Sequence, residues 1–227
     1  MGKNKYLKNS KISEAKTREI IRGFALDLTA TQTAELTGIT RKSVNRIYHS
    51  IRQKIFESLA KEVILDGEIE MDESYFGPTR VRGKRGRGSG RKMIVFGLLK
   101  RGEKVYTTIV PNCSRDELMP IIKGHILEHS TVYTDGWKAY DGLIINGYDH
   151  HRIYHSENEF ARGKNHVNGI ESFWSFTKRR LAKFNGIQGK MFYLHLKESE
   201  FRFNNRSLSV EKFYKLLLKL MRKGSVE

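Results

Sequence analysis

The segment EIEMDESYFG, Glu68–Gly77, alternates apolar Ile69, Met71 and Tyr75 with polar Glu70, Asp72 and Ser74, the two-residue period of a strand. Asp and Glu are poor strand formers, yet Glu68, Glu70, Asp72 and Glu73 all fall within it. Two placements accommodate them. One is an exposed edge strand with a wet face; the other is a central strand whose polar face holds a metal ion. The rest of the chain must decide.

Downstream, MIVFGLL and KVYTTIV read as two strands joined by the turn-prone KRGE. SRDELMPIIKGHI fits a helix capped by Ser114, its acidic first turn matched to the helix dipole. STVYTDG is a short buried strand ending at Asp135, WKAYDGL a short helix, and HRIYH a fifth strand. HVNGIESFWSFTKRRLAKF carries an apolar stripe of Ile170, Phe173, Trp174, Thr177 and Leu181 at helical spacing. Two further helices are expected over roughly 190–204 and 209–222. Three meander strands followed by helix, strand, helix, strand and long helix is the order of a ribonuclease H-like α/β fold: a mixed five-stranded sheet flanked by helices. In that order the first strand is central and the fourth lies beside it.

Upstream, residues 1–66 read as a small all-α domain. KISEAKTREIIRGFALDL spaces Ile12, Ala15, Ile20, Ile21, Phe24, Ala25 and Leu28 for a helix. In TATQTAELTGITRKSVNRIYHSIRQKI, a short helix with Ala34 and Leu36 stops at Gly38, and Thr40 can cap a second helix carrying Val44, Ile47 and Ile51. Helix, glycine turn, helix is the helix-turn-helix pattern. Arg41, Lys42, Ser43, Asn45 and Arg46 open the second helix, where recognition helices meet base edges.

Charge agrees. Forty-two Lys and Arg against 25 Asp and Glu give a net +17, which favours a nucleic-acid partner through phosphate neutralisation and counterion release. The stretch TRVRGKRGRGSGRK, residues 79–92, concentrates Arg80, Arg82, Lys84, Arg85, Arg87, Arg91 and Lys92 with four glycines and no acid. Glycine and self-repelling charge make it a mobile loop suited to a phosphate backbone. No stretch approaches the ~18 apolar residues of a membrane span, so no membrane partner is expected. A lone cysteine, Cys113, excludes an internal disulfide framework and a Cys-based zinc finger and favours an intracellular setting. His150, His151, His155 and His166 cluster in sequence without a zinc-binding spacing.

Three acids then line up: Asp72 in mid-strand, Asp135 at a strand end, and Glu171 in the first turns of the long helix. On neighbouring strands Asp72 and Asp135 can face each other. A third carboxylate from a packed helix would complete an all-oxygen site for two divalent cations roughly 3.5–4 Å apart, of the hard kind typified by Mg²⁺.

MDESYFG, VFGLLKRGEKVYTTIVP, VYTDGWKAYD, HVNGIESFWSFTKRRLAKFNGI and HLKESEFRFNNR together resemble the core of DDE insertion-sequence transposases and of their eukaryotic relatives, the Merlin superfamily. The resemblance spans about residues 67–206. It implies a DNA transposase acting by cut and paste. Terminal inverted repeats are bound, the DNA is nicked at the transposon ends with Mg²⁺ (Mn²⁺ substituting), and the ends are transferred into target DNA. The partners it implies are double-stranded DNA and further copies of the chain, at least as a homodimer. It places the chain in the bacterial cytoplasm with the nucleoid, or in the nucleus of a eukaryotic host. Asp72, Asp135 and Glu171 match the acidic triad and metal ligands. Lys178, seven residues after Glu171, matches a lysine of the pattern and shares its helix face; with Arg179 and Arg180 it is expected along the DNA backbone. Some relatives have Asn in third place, so Asn168, three residues before Glu171, is the alternative third ligand. Many relatives begin with a Cys-rich zinc-binding segment. This chain departs from them, which matches the zinc-free branch and leaves end recognition to residues 1–66. The expected domains are 1–66 for DNA binding, 67–206 for catalysis, and a C-terminal helix over 207–227. Two rivals remain: a non-catalytic DNA-binding protein descended from a transposase, and a nuclease or junction resolvase of the same fold.

Overall fold

Glu68–Phe76 is a central strand, not an edge. The computed structural model describes residues 4–7, 10–60, 63–77, 92–135, 147–153, 167–184, 186–187 and 189–222. The helices are α1 (Glu14–Ala25), α2 (Ala30–Thr37), α3 (Arg41–Leu59), α4 (Arg115–His125), α5 (Asn168–Ala182), α6 (Gly189–Asn204) and α7 (Val210–Met221). The strands are β1 (Glu68–Phe76), β2 (Met93–Lys100), β3 (Val105–Val110), β4 (Thr131–Asp135) and β5 (Asp149–Ile153). The chain forms two compact units, Met1–Lys61 with Lys183–Glu227, and Glu62–Ala182.

In the second unit the strands run β3-β2-β1-β4-β5. β2 is antiparallel to both of its neighbours, β1 and β3, while β4 is parallel to β1 and β5 parallel to β4. This is the mixed ribonuclease H-like sheet expected from the element order. Strand alternation sorts the side chains between two layers. Ile69, Met71, Phe96 and Leu98 form one face and bury against Leu118, Met119 and Ile122 of α4. On the opposite face Asp72 lies across from Gly97 and Glu70 from Leu99, and there α5 packs. Gly97 allows that approach, since a Cβ would sit 2.7 Å from the Trp174 ring. A glycine inside a strand pattern commonly marks such contact.

The first unit is all helical. Ser13, Thr29, Thr40 and Ser209 each cap a helix by accepting a hydrogen bond from the backbone N–H three residues on, satisfying amides that the helix itself cannot. Gly38 ends α2 in the left-handed region at φ 68°, the conformation glycine adopts without strain. Ala34 packs against the core, whereas Leu36 is 73% exposed. Ile20, Ile21 and Phe24 of α1 and Val44, Ile47, Tyr48 and Ile51 of α3 share one core with Phe201 of α6 and Phe213, Tyr214, Leu217 and Met221 of α7.

That shared core corrects the expected boundaries. Those boundaries end the DNA-binding domain at 66, carry the catalytic domain from 67 to 206 and set a helix over 207–227 apart. Instead α6 and α7 complete the N-terminal helical unit. Polar contacts reinforce the assignment: Glu198 of α6 accepts from Arg52 of α3 at 2.7 Å and from Arg202 at 2.9 Å, and Arg22 of α1 reaches Glu211 of α7 at 3.0 Å. The expected short helix at 137–143 lies outside the described residues.

Candidate active site

β1 and β4 run side by side in register, with Glu68 opposite Thr131, Ile69 opposite Val132 and Glu70 opposite Tyr133. Two residues further along each strand, Asp72 and Asp135 are level. In a parallel pair, residues at one level point to one side, so both belong to the face covered by α5. Asp135 is the last residue of β4 and is half-buried.

Asp72 is held from two directions. Its Oδ1 accepts the Glu73 backbone N–H at 2.8 Å, and its Oδ2 accepts Trp174 Nε1–H at 2.9 Å. Its carboxyl pKa is pushed up to about 6, chiefly by burial and further by the negative charges of Asp135 and Glu171, against the lowering effect of those two hydrogen bonds. The charges of both other expected acids therefore reach Asp72 through space. The three acids are not drawn into a tight cage: among the described residues no group of three or more His, Cys, Asp or Glu is gathered closely enough to hold a metal ion. The donor set nonetheless suits a hard cation. All three offer carboxylate oxygen, and each Asp72 oxygen accepts one hydrogen bond while having two lone pairs.

α5 presents two faces. Ile170, Phe173, Trp174, Thr177 and Leu181 are buried. Asn168, Glu171 and Lys178 are exposed together with Arg179, and Lys178 Nζ stands 5.8 Å from the Phe76 ring centroid at the end of β1. Asn168 and Glu171 thus remain side by side. Arg180 departs from the expected DNA face: it is only 6% exposed, because it continues the stripe of Phe173 and Thr177 at helical spacing.

Glu70 was not singled out by sequence, although it shares the face of Asp72. It is 1% exposed. Its Oε2 accepts the Ile170 N–H at 2.8 Å and its Oε1 accepts Arg101 Nε–H at 3.0 Å. Gly169 makes room for it, since a Cβ there would lie 2.8 Å from that same Oε2. Arg101 stacks 3.7 Å over the Tyr133 ring, and the Tyr133 hydroxyl donates to Glu68 at 3.1 Å. The faint signals in the sequence were a third acid on the strand's polar face and a glycine at the start of the long helix.

In the helical unit, Arg41, Lys42, Asn45 and Arg46 are exposed at the start of α3, while Ser43 is half-buried and pairs with the capping hydroxyl of Thr40. Two of the five also line a cavity. Arg41 and Asn45, with Tyr48, His49 and Arg52, line a cavity of about 770 Å³ whose other wall is Lys183, Phe184, Ile187, Met191 and His195; Lys42 and Arg46 do not line it. Of the basic loop only Lys92 is described, and it is exposed; Arg80, Arg82, Lys84, Arg85, Arg87 and Arg91 lie outside the described residues, as do His155 and His166. His150 pairs with Thr134 Oγ1 at 2.8 Å and His151 with Asp149 at 3.2 Å.

The strand order and its level pair of acids define a ribonuclease H-like protein. Residues 64–204 match the ISXO2-like transposase domain. The chain belongs to that family, and is a DDE-type insertion-sequence transposase. It is 46% identical over 123 residues to an uncharacterised transposase-like protein of Haemophilus influenzae, covering 54% of this chain and 97% of that one. It is 27% identical over 176 residues to an uncharacterised protein in transposable element ISH50 of Halobacterium salinarum, covering 70% of this chain and 60% of that protein's length. Among solved structures, a chain of a simian T-cell lymphotropic virus intasome matches 82% of this chain and 65% of its own at 12% identity and a TM-score of 0.36. The Mos1 mariner paired-end complex with Mn matches 95% and 79% at 11% identity and a TM-score of 0.32. No helix among the described residues is long and apolar enough to cross a membrane.

Proposed function

We propose that this transposase binds the terminal inverted repeats of its element as double-stranded DNA, cleaves at the ends, and joins them to target DNA. The observation that carries the reading is the level placement of Asp72 and Asp135 on adjacent strands, with the charge of Glu171 reaching Asp72. Asp72, Asp135 and Glu171 would hold Mg²⁺, two ions per site, with Mn²⁺ able to substitute. When bound, such ions activate an attacking hydroxyl and stabilise the leaving oxygen of a phosphodiester. The chain's own residues prepare the site. β1 and β4 fix two carboxylates, α5 brings the third, and Trp174 orients Asp72. Asn168 orients a phosphate or water beside Glu171, and Lys178 with Arg179 lies along the DNA backbone.

The N-terminal helices then supply selectivity. In this reading α2 and α3 are a helix-turn-helix, Arg41, Asn45 and Arg46 read base edges, and Lys42 and the basic loop 79–92 neutralise phosphates. At least two copies act together, one for each end. The test is Mg²⁺-dependent cleavage of a duplex carrying the terminal repeat. Asp72→Asn and Asp135→Asn should each abolish it while end binding persists, and robust cleavage by the Asp72→Asn protein overturns the mechanism.

A further inference from the structure

We propose that Glu70 is a positioning residue for the catalytic centre: its buried carboxylate, bonded to the Ile170 N–H and Arg101, locks the start of α5 to β1 and so sets Glu171 relative to Asp72. This rests on the proposed function, since it assigns a role toward the metal-binding acids.

The geometry is a pair of struts. Glu70 and Asp72 are two residues apart on one face of β1, a rise of about 7 Å. Their α5 partners, the Ile170 N–H and Trp174 Nε1–H, come from residues four apart, about 6 Å along a helix. Strand and helix advance by matched lengths in the same direction, so the two hydrogen bonds of 2.8 and 2.9 Å fix both sliding and rotation of α5. Glu171 follows Ile170 directly, so whatever anchors that amide anchors the third acid.

The chemistry favours a carboxylate here. The first four N–H groups of a helix lack intrahelical acceptors, and a negative charge near that end also meets the positive pole of the helix dipole. A buried anion needs a counter-charge, and Arg101 supplies it at 3.0 Å. Arg101 is in turn fixed by the Tyr133 ring at 3.7 Å. Tyr133 stands on β4 two residues before Asp135. One connected set of contacts thus ties β1, β4 and α5, the three elements that carry the acids. Gly169 gives independent support, because any side chain there would collide with Glu70 Oε2.

The test uses the full chain, with Glu70→Gln, Glu70→Ala and Gly169→Ala. Mn²⁺ response is read twice: as the thermal shift of the DNA-free protein with added Mn²⁺, and as the Mn²⁺ concentration giving half-maximal cleavage. Removing partners that orient metal ligands typically weakens metal binding by about 10–100-fold. Both midpoints should rise about tenfold in Glu70→Ala and Gly169→Ala. Glu70→Gln, which keeps an oxygen for the Ile170 N–H, should fall between those and the parent. Amide exchange at Ile170 and Glu171 should quicken in the same order. Lowered melting temperatures with unmoved Mn²⁺ midpoints would make Glu70 a mere packing element and overturn the proposal. If Glu70→Ala does not fold, the other two variants decide on the same midpoints. Cleavage surviving Asp72→Asn would instead sink the underlying functional reading, an outcome separate from the Glu70 result.

Discussion

Trp174 and Asp72 are joined across the sheet–helix boundary by a 2.9 Å hydrogen bond from the indole Nε1–H to Oδ2. The indole also meets Phe76 edge-on at 6.1 Å between ring centroids and fills the space left by Gly97. A packing residue therefore doubles as a donor to the acid at the centre of the site. Trp174→Phe keeps much of the ring packing and deletes the donor. Because that bond lowers the Asp72 pKa, its loss should move the value above about 6, as followed by carboxyl-carbon NMR titration. The variant should also lose about 1–3 kcal/mol of stability for an acceptor deprived of its partner. A falling Asp72 pKa would contradict the assignment.

Asp72 also predicts a pH-dependent gain on neutralisation. Its folded pKa is raised from 3.8 to about 6, so the folded state binds the proton more tightly than the unfolded chain. Ionisation then disfavours the folded state: stability from this group is highest below pH ~4, falls as pH rises toward ~6, and stays low above it. The full shift is on the order of 3 kcal/mol. Metal-free Asp72→Asn should accordingly be more stable than the parent at pH 7.5, with the advantage fading toward pH 4.5. Denaturant unfolding at the two pH values checks it. A pH-independent difference would show that Asp72 does not titrate in this window.

Glu171 and Asn168 share the exposed face of α5, and only the carboxylate brings charge to a doubly cationic site. Glu171→Gln should cripple nicking and strand transfer across a Mg²⁺ and Mn²⁺ titration. Asn168→Ala should slow both less, since a neutral hydrogen bond is worth roughly 0.5–1.5 kcal/mol. The reverse ranking would give Asn168 the third place.

At the start of α3, the exposed Arg46 is the sharper candidate base reader, because Arg41 and Asn45 line the cavity shared with Lys183 and Met191. Arg46→Ala should cost about 1–3 kcal/mol of discrimination between end DNA and scrambled DNA. Equal weakening on both duplexes in a salt-controlled binding assay would mark it as a phosphate contact.

The sheet and its two aspartates were legible because a two-residue period with acids on one side is a local signal, and strand order then places β1 beside β4. Glu70 was not, because its partner Ile170 lies 100 residues away and an acid on a strand looks the same whether it caps a helix or faces water. Arg180 was misplaced for a related reason. Three consecutive cations are equivalent as text, yet each step around a helix turns about 100°, and that turn carries Arg180 onto the buried stripe. The unit boundary near 182 was hidden since α6 and α7 read as ordinary helices, and only packing reveals that they belong with α1 and α3.

The division of the chain gives the order of synthesis a consequence. The helical unit is assembled from both ends, Met1–Lys61 and Lys183–Glu227, with the sheet unit inserted between. On the ribosome, α1 to α3 emerge early with the apolar side of Ile20, Phe24 and Ile51 uncovered. They must wait for Phe213 and Leu217, by which time the whole sheet unit has been made. The part proposed to grip DNA thus matures after the sheet unit, and an abortive product ending near residue 66 would lack the helices that close its core.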